Sequence, residues 1–102
     1  MTEQKTWGII GGGMMGMTLA LRLTQQNQKV VIFESAPTVG GLTSSWEMTL
    51  GVGSGDQKVT WDRFYHVILM SDLNTRKILQ EIGLDQDLRW VETKTGFYSD
   101  GK

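Results

Sequence analysis

The chain has 102 residues, a formal net charge of −1, no cysteine and a single histidine, His66. That length suits one modest domain and leaves much apolar surface hard to bury, and the charge offers no broad electrostatic footprint for nucleic acid or an anionic membrane. Disulfides, thiolate metal sites and cysteine nucleophiles are excluded, and one histidine argues against a histidine-based metal centre.

The opening "MTEQKTWG" has neither the basic start nor the apolar core of a signal peptide. No apolar run approaches the ~20 residues of a membrane span. The expectation is a soluble, cytoplasmic protein without a transmembrane segment. Trp7, Ile9 and Ile10 form a short apolar run that stops at glycine, as a buried parallel strand does. Met15, Leu19 and Leu23 then recur every fourth residue with Ala20 beside them, which predicts one face of a helix. Arg22, Gln25 and Gln26 fall on its wetter side, and Asn27 stands where a left-handed C-cap belongs. "KVVIFE", Lys29 to Glu34, is a second β-branched run. Strand, glycine turn, helix and strand within about thirty residues make a βαβ unit, whose crossover should be right-handed.

"SAPTVGGLTSS" contains the chain's only proline and a Gly-Gly pair, so it reads as an ordered loop. "WEMTL" and "KVTWD" flank "GVGSGDQ", which predicts an antiparallel hairpin with a mobile tip over residues 51–55. "FYHVILM" continues as an apolar stretch, with His66 between Tyr65 and Val67 in an apolar strand. "SDLNTRKILQEIG" predicts a helix with Ser71 or Asp72 as N-cap and Gly83 at its C-terminal end. Its apolar face is Leu73, Ile78, Leu79 and Ile82. "LRWVETKTGFYSDGK" returns to strand-like residues and ends in the turn signal Asp100-Gly101. With only Lys102 beyond that turn, the chain is expected to be the front piece of something longer.

The chemistry sits in "WGIIGGGMMGMTLALRL". Gly11, Gly13 and Gly16 make a G-x-G-x-x-G pattern between a strand and a helix. In a dinucleotide-binding loop, the first glycine turns the chain out of the strand. The second lets a pyrophosphate approach backbone N–H groups, and the third lets the helix pack against the strands. The helix N-terminus adds partial positive charge where the phosphates sit. Met14 and Met15, bulky for such a loop, are expected to pack the helix's first turn beside the cofactor. Glu34 ends the second strand eighteen residues after Gly16. A carboxylate there accepts hydrogen bonds from the adenosine ribose hydroxyls and repels a 2′-phosphate, which disfavours NADP. NAD and FAD both stay open on this motif alone.

With Glu34 followed by Gly40 and Gly41 in "ESAPTVGGLTSSWE", the sequence resembles the flavin-containing amine oxidoreductase superfamily. Within it the closest match in pattern is to protoporphyrinogen oxidase-like and carotenoid desaturase-like members. The resemblance implies FAD as cofactor. It also implies that the loop from Gly40 to Ser45 passes along the pyrophosphate and ribityl chain, with Thr43, Ser44 and Ser45 as hydrogen-bond donors; Ser35, next to Glu34, is a further cofactor-binding candidate. Many amine oxidases carry arginine after the Gly-Gly pair. Here that position is Leu42, which favours the desaturase- or mutase-like side of the group. His66 matches a histidine that lies near the isoalloxazine in mutase-like members. Read from the residues alone, it is a hydrogen-bonded core histidine.

The implied fold is α/β: a Rossmann-like FAD/NAD(P)-binding βαβ unit, then an antiparallel hairpin and a helix, with an incomplete sheet. Residues 1–45 would hold the FAD-binding unit with its Gly-Gly loop, and residues 46–102 the start of a flavin- and substrate-facing region. The parent protein would be an FAD-dependent oxidoreductase acting on an unknown small molecule, with the 102 residues alone inactive and homodimerising through unpaired sheet edges. An NAD-binding dehydrogenase front end and a non-catalytic nucleotide-binding or interaction module are the alternatives.

Overall fold

The short apolar runs on either side of the glycine turn form two parallel strands, β1 (Thr6–Ile10) and β2 (Lys29–Phe33), in the computed structural model, which describes residues 3–53 and 55–101. They pair from Thr6↔Lys29 to Ile10↔Phe33. Between them runs α1 (Met14–Gln25), which lies against both strands. The expected βαβ unit is therefore present.

Helix α1 stops where the asparagine predicts. Asn27 has φ 56°, its N–H donates to the Thr24 carbonyl (2.9 Å), and the Gln28 N–H donates to the Leu23 carbonyl (3.0 Å). This pair of bonds is a Schellman termination, which satisfies the last carbonyls of the helix. The Gln28 side chain then ties the strand starts together, its Oε1 accepting from the Lys5 N–H (2.8 Å) and from Trp7 Nε1 (3.3 Å).

The helix face matches the expected one at Ala20 and Leu23 and departs from it at Met15 and Leu19. Met15 is 86% exposed and Leu19 is exposed, whereas Gly16, Ala20 and Leu23 are half-buried. Gly16 sets this rotation, because the closest helix–strand approach occurs at the residue without a side chain. The strand expected to be buried is also mostly open. Among the described residues Ile9 is the one buried apolar side chain, and Ile10 and Phe33 stand exposed. Two strands and one helix cover only the Ile9 side of β1.

The segment after β2 is ordered by a 3-10 turn at Gly41–Thr43. It leads into an antiparallel hairpin, β3 (Ser45–Val52) with β4 (Gly55–Asp62), paired from Ser45↔Asp62 to Val52↔Gly55. The strands thus run further into "GVGSGDQ" than the sequence suggests, and the connection shrinks to two residues with Gly53 at φ 63°. The mobile tip expected over 51–55 includes Ser54, which lies outside the described residues. Alternation puts Trp46, Met48 and Leu50 on one face with Trp61 and Val59, and Glu47, Thr49, Lys58 and Thr60 on the other. Lys58 Nζ reaches Glu47 Oε1 at 2.8 Å across the polar face.

"FYHVIL" is not a strand: residues 63–69 have no ladder partner and follow an irregular path. The chain divides into two units, Met1–Val67 and Ile68–Lys102. In the second, α2 (Leu73–Glu81) starts at Asp72, whose Oδ2 accepts from the Leu69 N–H (2.8 Å). It ends in another Schellman pair, with Gly83 at φ 76° and the Leu84 N–H on the Leu79 carbonyl (2.8 Å). Leu73 and Ile82 of the expected apolar face are exposed, while Ile78 and Leu79 are half-buried. Arg76 lies 5.4 Å from the centre of the Trp90 ring, a cation–π contact. The strand-like residues 88–99 form no strand, because no neighbouring strand offers them hydrogen bonds. Asp100 and Gly101 both have positive φ (51° and 78°), the geometry that a type I′ turn requires.

Candidate functional site

The glycine loop leaves β1 at Ile10 and turns at Gly11, whose φ of 103° is costly for any side chain but glycine. The Gly11 N–H donates to the Phe33 carbonyl (2.8 Å), so the turn begins hydrogen-bonded to the end of β2. Gly13 is the N-cap of α1, extended at φ −75°, ψ −177°, with no side chain capping the helix. The Gly13 carbonyl accepts the first helical bond, from the Met17 N–H (3.0 Å). N–H groups in the first turn before that bond have no helical acceptor, which is the arrangement that receives an anion. At Gly16 an added Cβ would overlap the Gly11 carbonyl oxygen and come within 3.3 Å of Ile9 Cγ2. The close-packing role expected for that glycine is therefore visible as geometry.

Glu34 follows β2 and turns its carboxylate back on the loop. Its Oε2 accepts from the Gly12 N–H (2.6 Å), its Oε1 from the Ala36 N–H (2.8 Å), and Ser35 Oγ lies 3.5 Å from Oε1. The Ala36 N–H, and next the Gly12 N–H, hold the carboxyl below the usual carboxylate range, outweighing the opposing effect of desolvation. The group is ionised at neutral pH. Oε2, with the Gly12 N–H as its one donor, keeps a lone pair for a further donor such as a ribose hydroxyl.

The second glycine pair closes onto the first loop. Gly40 (φ 122°) donates its N–H to the Gly12 carbonyl (2.9 Å), and Gly13 and Gly40 form a parallel bridge. An added Cβ at Gly41 (φ 56°) would stand 3.1 Å from the Gly13 Cα. The two backbones thus meet where Gly41 has no room for a side chain, while a Cβ at Gly13 would be in ordinary contact, 3.9 Å from the Gly41 Cα. The hydroxyls beyond them are directed inward: Thr43 Oγ1 donates to the Gly40 carbonyl and Ser44 Oγ to the Gly41 carbonyl, each at 2.7 Å. The single hydrogen of each is engaged in the 3-10 turn, so in this arrangement these groups offer an incoming ligand acceptors rather than the expected donors. Ser45 opens β3 opposite Asp62, and Leu42 is 70% exposed.

At the carboxyl ends of β1 and β2 lies a hollow lined by Ile10, Gly11, Phe33, Glu34 and Ser35. Exposed Ile10 and Phe33 give it apolar surface, and Glu34 gives it a fixed negative acceptor. Crevices at the carboxyl ends of parallel strands are where open α/β sheets bind ligands. Gly11, Glu34 and Ser35 line this hollow, and Gly13, Gly40 and Gly41 meet in the adjoining loop contact, with Gly16 packed against the Gly11 carbonyl. Met14 and Met15 lie on the first turn of α1 with their side chains exposed, so Met15 does not pack that turn. His66 lines a different hollow, between Thr60 and Phe64, and its Nδ1 is 3.0 Å from the Phe64 carbonyl. It is on irregular backbone, not on the expected strand. Among the described residues no cluster of side chains could hold a metal ion, and no helix is long and apolar enough to cross a membrane.

Sequence reasoning missed Gly12, the Ala36 N–H and Val39. Gly12 is buried, and an added Cβ would lie 3.0 Å from Val39 Cγ1 and 3.1 Å from Glu34 Oε2. The signal was the extra glycine itself, since the G-x-G-x-x-G pattern does not require one between Gly11 and Gly13.

Comparison with known proteins agrees with this geometry. The model of the NAD(P)-binding Rossmann-like domain family matches residues 9–82. The chain is 30% identical over 77 residues to a carotenoid phi-ring synthase of Streptomyces griseus, covering 76% of this chain and 14% of that protein. It is 35% identical over 48 residues to the carotenoid phi-ring synthase of Chlorobaculum tepidum, covering 47% of this chain and 7% of that one. It is 24% identical over 85 residues to a 15-cis-phytoene desaturase, chloroplastic/chromoplastic, of Narcissus pseudonarcissus, covering 82% and 14% respectively. The chain therefore spans a small part of the length of these relatives. The resemblance to carotenoid desaturase-like proteins is borne out.

Proposed function

The chain belongs to the NAD(P)-binding Rossmann-like domain family, and on that premise we propose that it binds the adenosine and pyrophosphate half of FAD within an FAD-dependent oxidoreductase of the carotenoid desaturase type. The observation that carries this reading is the meeting of three elements at one point. The Gly11–Gly13 turn, the Glu34 carboxylate and the Gly40–Gly41 pair are tied by hydrogen bonds of 2.6 to 2.9 Å next to a strand-end hollow that Gly11 and Glu34 line. A second glycine pair has no purpose in a minimal NAD loop. Here it doubles the side-chain-free backbone beside the helix N-terminus.

The residues fit the group. Ile10 and Phe33 offer apolar surface to adenine, and Glu34 Oε2 keeps a lone pair for a ribose hydroxyl. The first turn of α1 faces the pyrophosphate with N–H groups and its dipole. With Leu42 where an arginine could stand, neutralisation of phosphate charge falls to backbone N–H groups. When bound, FAD supplies hydride and electron transfer through its isoalloxazine ring. The residues described above bind and orient its other end. NAD is the second reading, favoured by the family's description and by an adenosine ribose common to both cofactors.

Calorimetric titration of the chain with ADP tests the half-site directly. Saturable binding is expected, with a loss of at least about tenfold in Gly13→Val, whose side chain would stand between the two glycine loops. Binding that survives Gly13→Val unchanged would remove the loop from the site.

A further inference from the structure

We propose that Glu34 is a positioning residue for the phosphate loop. It holds Gly12 and the backbone after β2 in place, so that its loss weakens pyrophosphate binding even to a ligand without ribose hydroxyls. The ligand half of this proposal rests on the nucleotide reading above; the structural half does not.

Gly12 is a crossing point. Its N–H is held by Glu34 Oε2 and its carbonyl by the Gly40 N–H, so the ends of β1 and β2 and the Gly-Gly segment meet on one residue. Gly12 is also buried, with Val39 close against it. If the carboxylate is withdrawn, the Gly12 N–H is stranded where water has little access, and a buried unmet donor drives the backbone to rearrange. That rearrangement would carry Gly13 and Gly40 with it, and these residues frame the phosphate side of the site. The other carboxylate oxygen fixes Ala36, so one side chain braces both ends of the Glu34 turn. A residue serving only the ribose would need neither bond.

The experiment compares wild type with Glu34→Gln and Glu34→Ala in two readouts. The first is amide hydrogen exchange at Gly12 and Ala36, with the Gly11 N–H, bonded to the Phe33 carbonyl, as internal reference. Hydrogen bonds to a charged acceptor predict exchange faster by about tenfold or more, relative to Gly11, at both amides in Glu34→Ala and at one or both in Glu34→Gln. Unchanged ratios, or an equal rise at Gly11, would overturn the proposal. The second is calorimetric affinity for ADP and for 2′,3′-dideoxy-ADP. A fold-loss for both ligands is expected, larger for ADP by the ribose contact it alone makes. A loss confined to ADP would reduce Glu34 to a ribose contact and overturn the positioning role. If wild type binds neither ligand, the nucleotide reading fails, while the exchange ratios still decide what Glu34 does to the loop.

Discussion

At Gly16 a methyl group would have to occupy the space of the Gly11 carbonyl oxygen, which is backbone and cannot swing aside. Gly16→Ala must therefore push α1 away from β1, and overpacking of this kind costs about 1–3 kcal/mol. Gly96→Ala is the control. An added Cβ there meets nothing within 4 Å, and its effect should stay within about 0.5 kcal/mol. Denaturant midpoints of the two variants measure the difference. Glu34 gives a pH prediction. Its carboxyl is held below its ordinary value by the Ala36 and Gly12 N–H groups. The resulting stability is present above the unfolded-state value and is lost as pH falls through the folded-state value. The stability gap between wild type and Glu34→Gln should therefore narrow on acidification from neutral pH through the carboxylate range. A gap that stays constant across that range would show that the ionised form is not the one being bound. The position of Glu34 was legible from its spacing to the glycines. Its hydrogen-bond partners were not, because Gly12 and Ala36 approach it only once β1 and β2 are side by side.

Both helices end as their sequences indicate, since a left-handed residue at C′ is a local signal that needs no tertiary context. Asn27 tests this at the scale of one element. Its φ of 56° favours asparagine or glycine, so Asn27→Val should destabilise the unit by about 1–2 kcal/mol while Asn27→Gly is close to neutral, as read by thermal unfolding. Strands were less legible. The β1 and β2 runs were readable because a parallel partner lies one helix away in sequence, and the hairpin because its partner lies one turn away. Residues 63–69 and 88–99 have the same strand-like composition but no ladder. A β-branched or aromatic run specifies a strand only when a neighbouring edge supplies hydrogen bonds, and composition carries no information about that edge. The face of α1 is legible at Ala20 and Leu23 but not at its first two apolar positions, for a related reason. Hydrophobic periodicity pointed to Met15 and Leu19, but the contact is set by the smallest residue, Gly16.

Across the molecule the balance of surface is unusual. Only Ile9 is a buried apolar side chain among the described residues, while Ile10 is 93% and Phe33 60% exposed. The β1–β2 pair has two strands only, so each keeps one backbone edge without a ladder partner among the described residues. Such edges template pairing with another chain. The 102-residue chain should therefore self-associate with rising concentration in sedimentation experiments. A single monomeric species over the full concentration range would count against association through those edges. The same openness bears on ligand binding, since Ile10 and Phe33 lie both on the exposed surface and in the strand-end hollow. A bound adenine would cover part of it, and nucleotide should raise the unfolding temperature by mass action.

The most direct measurement is a fluorescence titration of FAD with the purified chain, repeated with NAD as competitor. Saturable quenching of the flavin that NAD does not reverse at comparable concentration is the predicted result. Binding of NAD with no effect on FAD fluorescence would contradict an FAD site and assign the glycine loops to a nicotinamide dinucleotide instead.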